Sequence, residues 1–534
     1  MRHAIKSGIR VHLQELPYSL DQTYERVLED INKNSQEHVR RLLHCLAVAI
    51  RPLRVEELAG ILAFDFDTAQ KGIPNFIEAW QPKDQIQAVL TCLSLITIIH
   101  DGDFLVVQFS HPSVKEFLTS HRLATSNSHL SSYHILPEHA HTILTQACLG
   151  LLLHLGDRRD NMIVKDYPLA EYAARHWVAH AQFGDVASRV EDGMKSLFDP
   201  TKPHFATWTR LYDIDVESGE MLPSEKPSPL YYAALCGFHG IVSHLLVKHP
   251  QDVDAFGGSL EFPFFAAICG NHLQAAELFL QHGGSPDIQD TISQTALHKV
   301  IDRPDEESFE AVRLLLSYGA DVDAQRDDLW TPLHLAVNLE DFWVARVLLK
   351  SGADANSLTG DGWTPLHLLS RRKTSQGEDD GSDMAALLLD HGANVNERDK
   401  DNATPLHLAS YNQKLKIVRV LLDRGANADA EKDRGETPLQ LALTRSGQHD
   451  AQDGIGVARL LLEHGAKAYG RDKYHISTSD LTCCFGNEKI MRMLLVGKFE
   501  PEDNRYQTAF WLWIEGEYYS LEHSFGGLYI FPRV

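Results

Sequence analysis

The 534-residue chain contains no C-x-x-C pair, no G-x-x-x-x-G-K-[ST] phosphate loop and no G-x-S-x-G nucleophile turn. Their absence removes the signatures of thiol–disulfide exchange, P-loop nucleotide binding and α/β-hydrolase chemistry. The seven cysteines (Cys45, Cys92, Cys148, Cys236, Cys269, Cys483 and Cys484) are odd in number and mostly far apart, which points to reduced, buried thiols. Positive charge is also scarce: 50 Lys and Arg stand against 73 Asp and Glu, a net charge of −23. A surface of that sign does not wrap a phosphate backbone, so nucleic acid is not an expected partner. Long apolar runs are missing too. The longest, residues 89–99 and 147–155, are too short to cross a bilayer, and Lys6 and Arg10 interrupt the place where a secretory leader would carry its apolar stretch. The expected setting is the cytoplasm or nucleus, away from membrane. The adjacent carboxylates Glu56-Glu57 and Asp379-Asp380 are expected to face solvent.

What is present is repetition. Thr-Pro-Leu begins at Thr331, Thr364, Thr404 and Thr437, at intervals of 33, 40 and 33 residues. Each phrase is followed by a Leu-Leu run and a Gly-Ala pair, the pairs starting at Gly352, Gly392, Gly425 and Gly465, with an earlier one at Gly319. Within one unit the threonine caps a first helix and proline takes its first position, where no N–H is needed. Leu333, Leu335 and Ala336 supply an apolar face; Val344, Val347, Leu348 and Leu349 supply that of a second helix. Gly352 ends it in the left-handed conformation. Two units carry seven extra residues between their helices, at 372–383 and 446–454.

Phrase, period and terminator together resemble the ankyrin-repeat family over residues 227 to about 496. The resemblance implies about eight stacked helix pairs that bind and carry no chemistry. Weaker units are read at 229–249, 262–284 and 294–319, and a degenerate last one at 477–496. Gln440, Leu369 and Leu443 depart from the pattern and put local packing in question. His298, His334, His367 and His407, one per repeat, are implied to hydrogen-bond within and between repeats, and no metal role is expected. The family binds partners with its turn tips and the first-helix side of a concave face. That places Trp330, Asp361, Trp363, Lys400 and Asp401 at tips, and Asn338, Leu339, Arg371, Tyr411 and Asn412 on the first helices, as candidate contacts to a protein partner. Each tryptophan reads equally as an interface anchor or as structural packing on a neighbouring turn.

The N-terminal part reads as helices at about 19–31, 36–50 and 55–62, a hairpin at 96–99 and 104–109, and a helix at 112–121. Leu16-Pro17-Tyr18-Ser19-Leu20-Asp21-Gln22-Thr23-Tyr24-Glu25-Arg26-Val27-Leu28 is similar to the segment after the NACHT module of fungal NLR-like STAND proteins. Phe109-Ser110-His111-Pro112-Ser113-Val114-Lys115-Glu116-Phe117-Leu118 resembles the end of their winged helix, and Tyr172-Ala173-Ala174-Arg175-His176-Trp177 their helical connector. The resemblance implies a mainly α chain: a winged-helix-like domain (1–125), a helical connector (126–226), an ankyrin-repeat α-solenoid (227–498) and an aromatic tail or cap (499–534). The nucleotide module of that family has no counterpart here. The resemblance therefore implies a naturally shortened relative or an incomplete polypeptide, and no cofactor is expected. His111, at a position that can contact nucleotide in complete relatives, is expected to be a helix-entry residue. His176 and His180, spaced i, i+4, are expected on a helix surface. The leading reading is a non-enzymatic protein-interaction scaffold or adaptor. The alternative is the regulatory part of an NLR-like signalling NTPase. DNA binding ranks behind both, since the helix at 112–121 offers only Lys115, flanked by His111 and His121, against Glu116.

Overall fold

Apolar residues recurring every three or four positions set most of the chain into helices. The computed structural model describes residues 20–467 apart from 32–34, 71, 78–93, 103, 126–128, 157–162, 216–226, 304–307, 373–380 and 446–450, together with Lys473. The expected capping box at Ser19, the pair Asp379-Asp380, the degenerate repeat at 477–496 and the tail lie outside these residues. Tertiary contacts divide the chain into two compact units, 1–321 and 322–534, and the division falls within the repeats.

The first unit opens with α1 (Leu20–Glu29) and α2 (Gln36–Val48), then β1 (Leu53–Arg54), α3 (Val55–Ile61) and the hairpin β2 (Phe64–Gln70) and β3 (Ile73–Phe76). After them come β4 (Ile96–Asp101), β5 (Phe104–Phe109), α4 (Pro112–Leu118) and α5 (His121–Ala124). Strands β1, β5 and β4 form an antiparallel sheet in that order, with Leu53 opposite Val107 and Asp101 opposite Phe104. Gly102 supplies the positive φ (59°) that so tight a turn requires. The helix expected over 112–121 is split. Ser120 is extended and its hydroxyl accepts from the N–H of Leu123, opening α5.

Buried polar groups fix this region. Glu57 is fully buried, which corrects the expectation that it faces solvent; Glu56 does face solvent. The Glu57 carboxylate accepts the Arg54 N–H at 2.8 Å and two Arg51 guanidinium N–H groups at 2.8 and 2.6 Å. A carboxylate persists inside because charged and backbone donors replace its water.

Six helices follow among the described residues to 211: α6 (Pro137–Leu155), α7 (Ile163–Asp166), α8 (Leu169–Ala181), α9 (Val186–Arg189), α10 (Glu191–Leu197) and α11 (His204–Leu211). Helix α6 is apolar on nearly every side and packs against α2 and α8. The expectation that His176 and His180 share a surface fails for His180. It is fully buried, with Nδ1 2.8 Å from Nδ1 of His141 and Nε2 2.8 Å from the Tyr172 hydroxyl. The helix face bearing Trp177 also points inward: Trp177 packs edge-on against Trp208, whose indole N–H donates to Ala174 at 3.0 Å. Burial against α6 leaves His180 neutral, pushing it down to about 3.

Asp213 and Asp215 tie this region to the first repeat. Tyr232 donates to Asp213, and Asp215 accepts from Tyr231 at 2.5 Å and from the Ser259 N–H at 2.7 Å. Three helix pairs follow: α12 and α13 (Pro229–Leu235, His239–Lys248), α14 and α15 (Pro263–Cys269, Leu273–Gln281), and α16 and α17 (Ala296–Ile301, Ser308–Ser317).

The described residues of the second unit hold four more pairs: α18 and α19 (Pro332–Asn338, Phe342–Lys350), α20 and α21 (Pro365–Arg371, Ser382–Asp390), α22 and α23 (Pro405–Tyr411, Leu415–Asp423), and α24 and α25 (Pro438–Arg445, Ala451–Glu463). The terminators behave as expected, with φ of 81° to 99° at Gly319, Gly352, Gly392, Gly425 and Gly465. Leu369, large where its neighbours carry alanine, is accommodated by Gly381. A Cβ there would stand 2.8 Å from Leu369 Cδ1, and φ is 77°. Gly381→Ala is therefore expected to lower the unfolding free energy by ~1–2 kcal/mol, measured by guanidinium titration.

Cys45, Cys148 and Cys236 are buried free thiols, and burial pushes Cys45 up to about 12. Cys269 is free and partly buried. Among the described residues no helix is long and apolar enough to cross a membrane.

Candidate partner-binding surface

Each repeat presents a turn tip followed by a first helix. In the second unit the tips are closed by the same backbone bond: Arg326 N–H to Trp330 O (3.1 Å), Thr359 to Trp363 (3.0 Å), Asp399 to Ala403 (3.0 Å) and Lys432 to Glu436 (3.2 Å). Tips also join one another, with Gly360 N–H on Asp328 O at 2.8 Å and Asp433 N–H on Asp401 O at 3.0 Å.

The histidines hold this edge from behind. His334 Nδ1 accepts the Thr331 N–H at 3.2 Å, so the proton sits on Nε2, which donates to Trp363 O at 3.1 Å. His367 does the same between Thr364 and Ala403, and His407 between Thr404 and Glu436. Each imidazole therefore caps its own helix and grips the next repeat's tip. All three are fully buried, and burial drives His334 and His407 down to about 4 and lowers His367. Gln440 substitutes without loss of the cap: its Oε1 accepts the Thr437 N–H at 2.8 Å.

On this fixed edge Asp361, Lys400 and Asp401 are exposed at the tips, as are Asn338, Arg371 and Tyr411 at the ends of first helices. Leu339 is half-buried. Asn412 is turned inward, its amide donating to Ser370 O at 3.2 Å and Leu408 O at 3.0 Å. Trp330 and Trp363 are half-buried, each beneath a guanidinium: Arg326 lies 5.5 Å from the Trp330 ring and Arg371 4.2 Å from the Trp363 ring. Lys400 donates to Gly360 O, spanning two tips.

Two exposed residues beside the tryptophans were not singled out from the sequence. Leu329 is 44% exposed at φ 61°, and Leu358 is 42% exposed. The matching tip position is Gly362, Asn402 and Gly435 in the following repeats, all at positive φ. Aligning the tips would have marked Leu329, a bulky residue where glycine or asparagine fits. Trp343, 62% exposed at the start of α19, lies on the second helix and was also passed over.

His111 caps α4, its Nδ1 accepting the Ser113 N–H at 3.2 Å. Among the described residues no group of three or more His, Cys, Asp or Glu could hold a metal ion.

A family model for ankyrin repeats in three copies matches residues 263–359 and 349–432. The azaphilone pigments biosynthesis cluster protein L of Monascus ruber is 30% identical, over 52% of this chain and 62% of that protein. An ankyrin repeat protein of Rickettsia felis is 32% identical, over 19% of this chain and 46% of its own length. The chain thus matches less than two thirds of either relative. Among solved structures, the ankyrin repeat domain of Bcl-3, of the IkappaB protein family, is 28% identical, covering 44% of this chain and all of that domain at a TM-score of 0.38. The chain carries ankyrin repeats.

Proposed function

We propose that the chain is a non-enzymatic interaction protein that captures a protein partner on the tips and first helices of residues 322–467. One observation carries this reading. Leu329, Trp330, Leu358, Trp363 and Tyr411 stay partly or well exposed on an edge whose backbone is fixed by buried imidazoles. Rigid, exposed aromatic and apolar side chains are what an interface anchor requires, since little ordering entropy remains to be lost. Protein recovery from native lysate on the immobilised chain is expected to fall at least tenfold for a Trp330→Ala/Trp363→Ala variant. Unchanged recovery would remove this edge from the proposal.

A second reading rests on the N-terminal region. Helices α1 to α3 with the sheet β1-β5-β4 support a winged-helix-like domain over 1–125, followed by a helical connector to 226. His111 as the cap of α4 suits its expected place at that domain's end. Together with a fungal relative, this favours a regulatory portion of an NLR-like signalling protein, in which the repeats sense the partner. Upstream genomic sequence encoding an in-frame G-x-x-x-x-G-K-[ST] would promote it.

A further inference from the structure

We propose that the Arg371–Trp363 pair is a recognition point for a carboxylate side chain, so that the partner docks a short segment carrying Asp or Glu beside an apolar residue. This rests on the tip edge being the binding face. Arg371 is exposed, its guanidinium stacked 4.2 Å from the Trp363 ring. It has no carboxylate within ion-pair distance among the described residues, whereas Arg326 pairs with Asp328 at 2.7 Å and Arg372 with Glu340 at 3.5 Å. Stacking occupies the face of a guanidinium and leaves its edge of N–H donors, the geometry that grips a carboxylate through two parallel bonds.

The surroundings select that anion. Asp327, Asp328, Asp361 and Asp401 are exposed on the same tips, so a doubly charged phosphate meets about twice the repulsion that a single carboxylate meets. Leu329 offers the apolar half of the recognition point. Leu329 holds a left-handed backbone that costs a bulky residue about 1 kcal/mol or more, while keeping its side chain in solvent. The bond from Gly360 N–H to Asp328 O sets Leu329 beside the tip that leads to Trp363, and Leu358 precedes the same turn. An apolar side chain of the partner against Leu329 and Leu358 would put its neighbouring carboxylate within reach of Arg371.

The test is selection of random linear peptides displayed on phage against the full chain. Enriched peptides are expected to fix one Asp or Glu within two residues of an apolar position. Against Arg371→Glu, that position should change to Lys or Arg; Arg371→Lys should keep the acid but bind about tenfold more weakly. Leu329→Gly should erase the apolar preference, keep the acidic one and raise the unfolding midpoint. Hydrogen-exchange protection by a selected peptide is expected at 326–330, 358–363 and 371. Protection elsewhere overturns the binding face itself. Protection there with no acidic preference, or with the same preference in Arg371→Glu, overturns the carboxylate alone. A selection without enrichment overturns the docking of short segments.

Discussion

Replacing His367 with alanine is expected to destabilise the second unit by ~3 kcal/mol, whereas His367→Gln costs less than about 1 kcal/mol. His367 is fully buried and makes two interactions of different reach. Nδ1 accepts the Thr364 N–H at 3.2 Å, and Nε2 donates to Ala403 O at 3.1 Å, the carbonyl that closes the next tip. Alanine leaves the Thr364 N–H without its acceptor, removes one of the two donors to Ala403 O and opens a cavity at a fully buried site. Glutamine has an oxygen and an N–H at nearly the same separation, and the chain itself uses it at position 440, where the cap to Thr437 survives at 2.8 Å. Guanidinium unfolding followed by circular dichroism checks both variants. Equal losses for alanine and glutamine would mean that neither side-chain volume nor the hydrogen bonds a glutamine restores make the residue matter.

Acid is expected to weaken the same unit steeply. His334 and His407 are neutral and buried, with folded values near 4 against about 6.5 for a free imidazole. The unfolded chain therefore binds more protons through this window. Stability is fully present above pH 6.5 and is lost progressively as pH falls through 4. At pH 5 the two residues together account for ~4 kcal/mol of lost stability, and His367 adds to it in the same direction. Unfolding free energies at pH 7 and pH 5 give the slope. The double variant His334→Gln/His407→Gln should flatten most of it while costing little at pH 7. A slope untouched by the double variant would place the acid sensitivity in the other buried histidines, His44, His180 and His367.

The repeats were legible because each device is local in sequence. Thr331 and Pro332 open a helix and Gly352 closes it, and the Leu and Val spacing names the buried stripe. The first unit was less so. Nothing in residues 64–76 announces the β2–β3 hairpin, because its pairing depends on Phe64 and Phe76 meeting over α6. Glu57 looked like a solvent carboxylate because Arg51 reaches it from outside its own helix. His180 looked like a surface residue because the helix that covers it is about forty positions earlier in the chain. On the candidate edge, Trp330 and Trp363 stood out by residue type. The stacking of Arg371 on Trp363 joins the two ends of one first helix across the tip, and the strain at Leu329 is a backbone property; neither is written in composition or period.

The central claim is that a protein partner sits on the tips and first helices of the second unit. A photo-activatable benzophenone side chain placed at Leu358, and separately at Lys350 on the second-helix side, tests it in native lysate. The account predicts one crosslinked polypeptide captured from position 358, lost when Trp330 and Trp363 are alanine, and none from position 350. Capture from position 350 with none from 358 would contradict it.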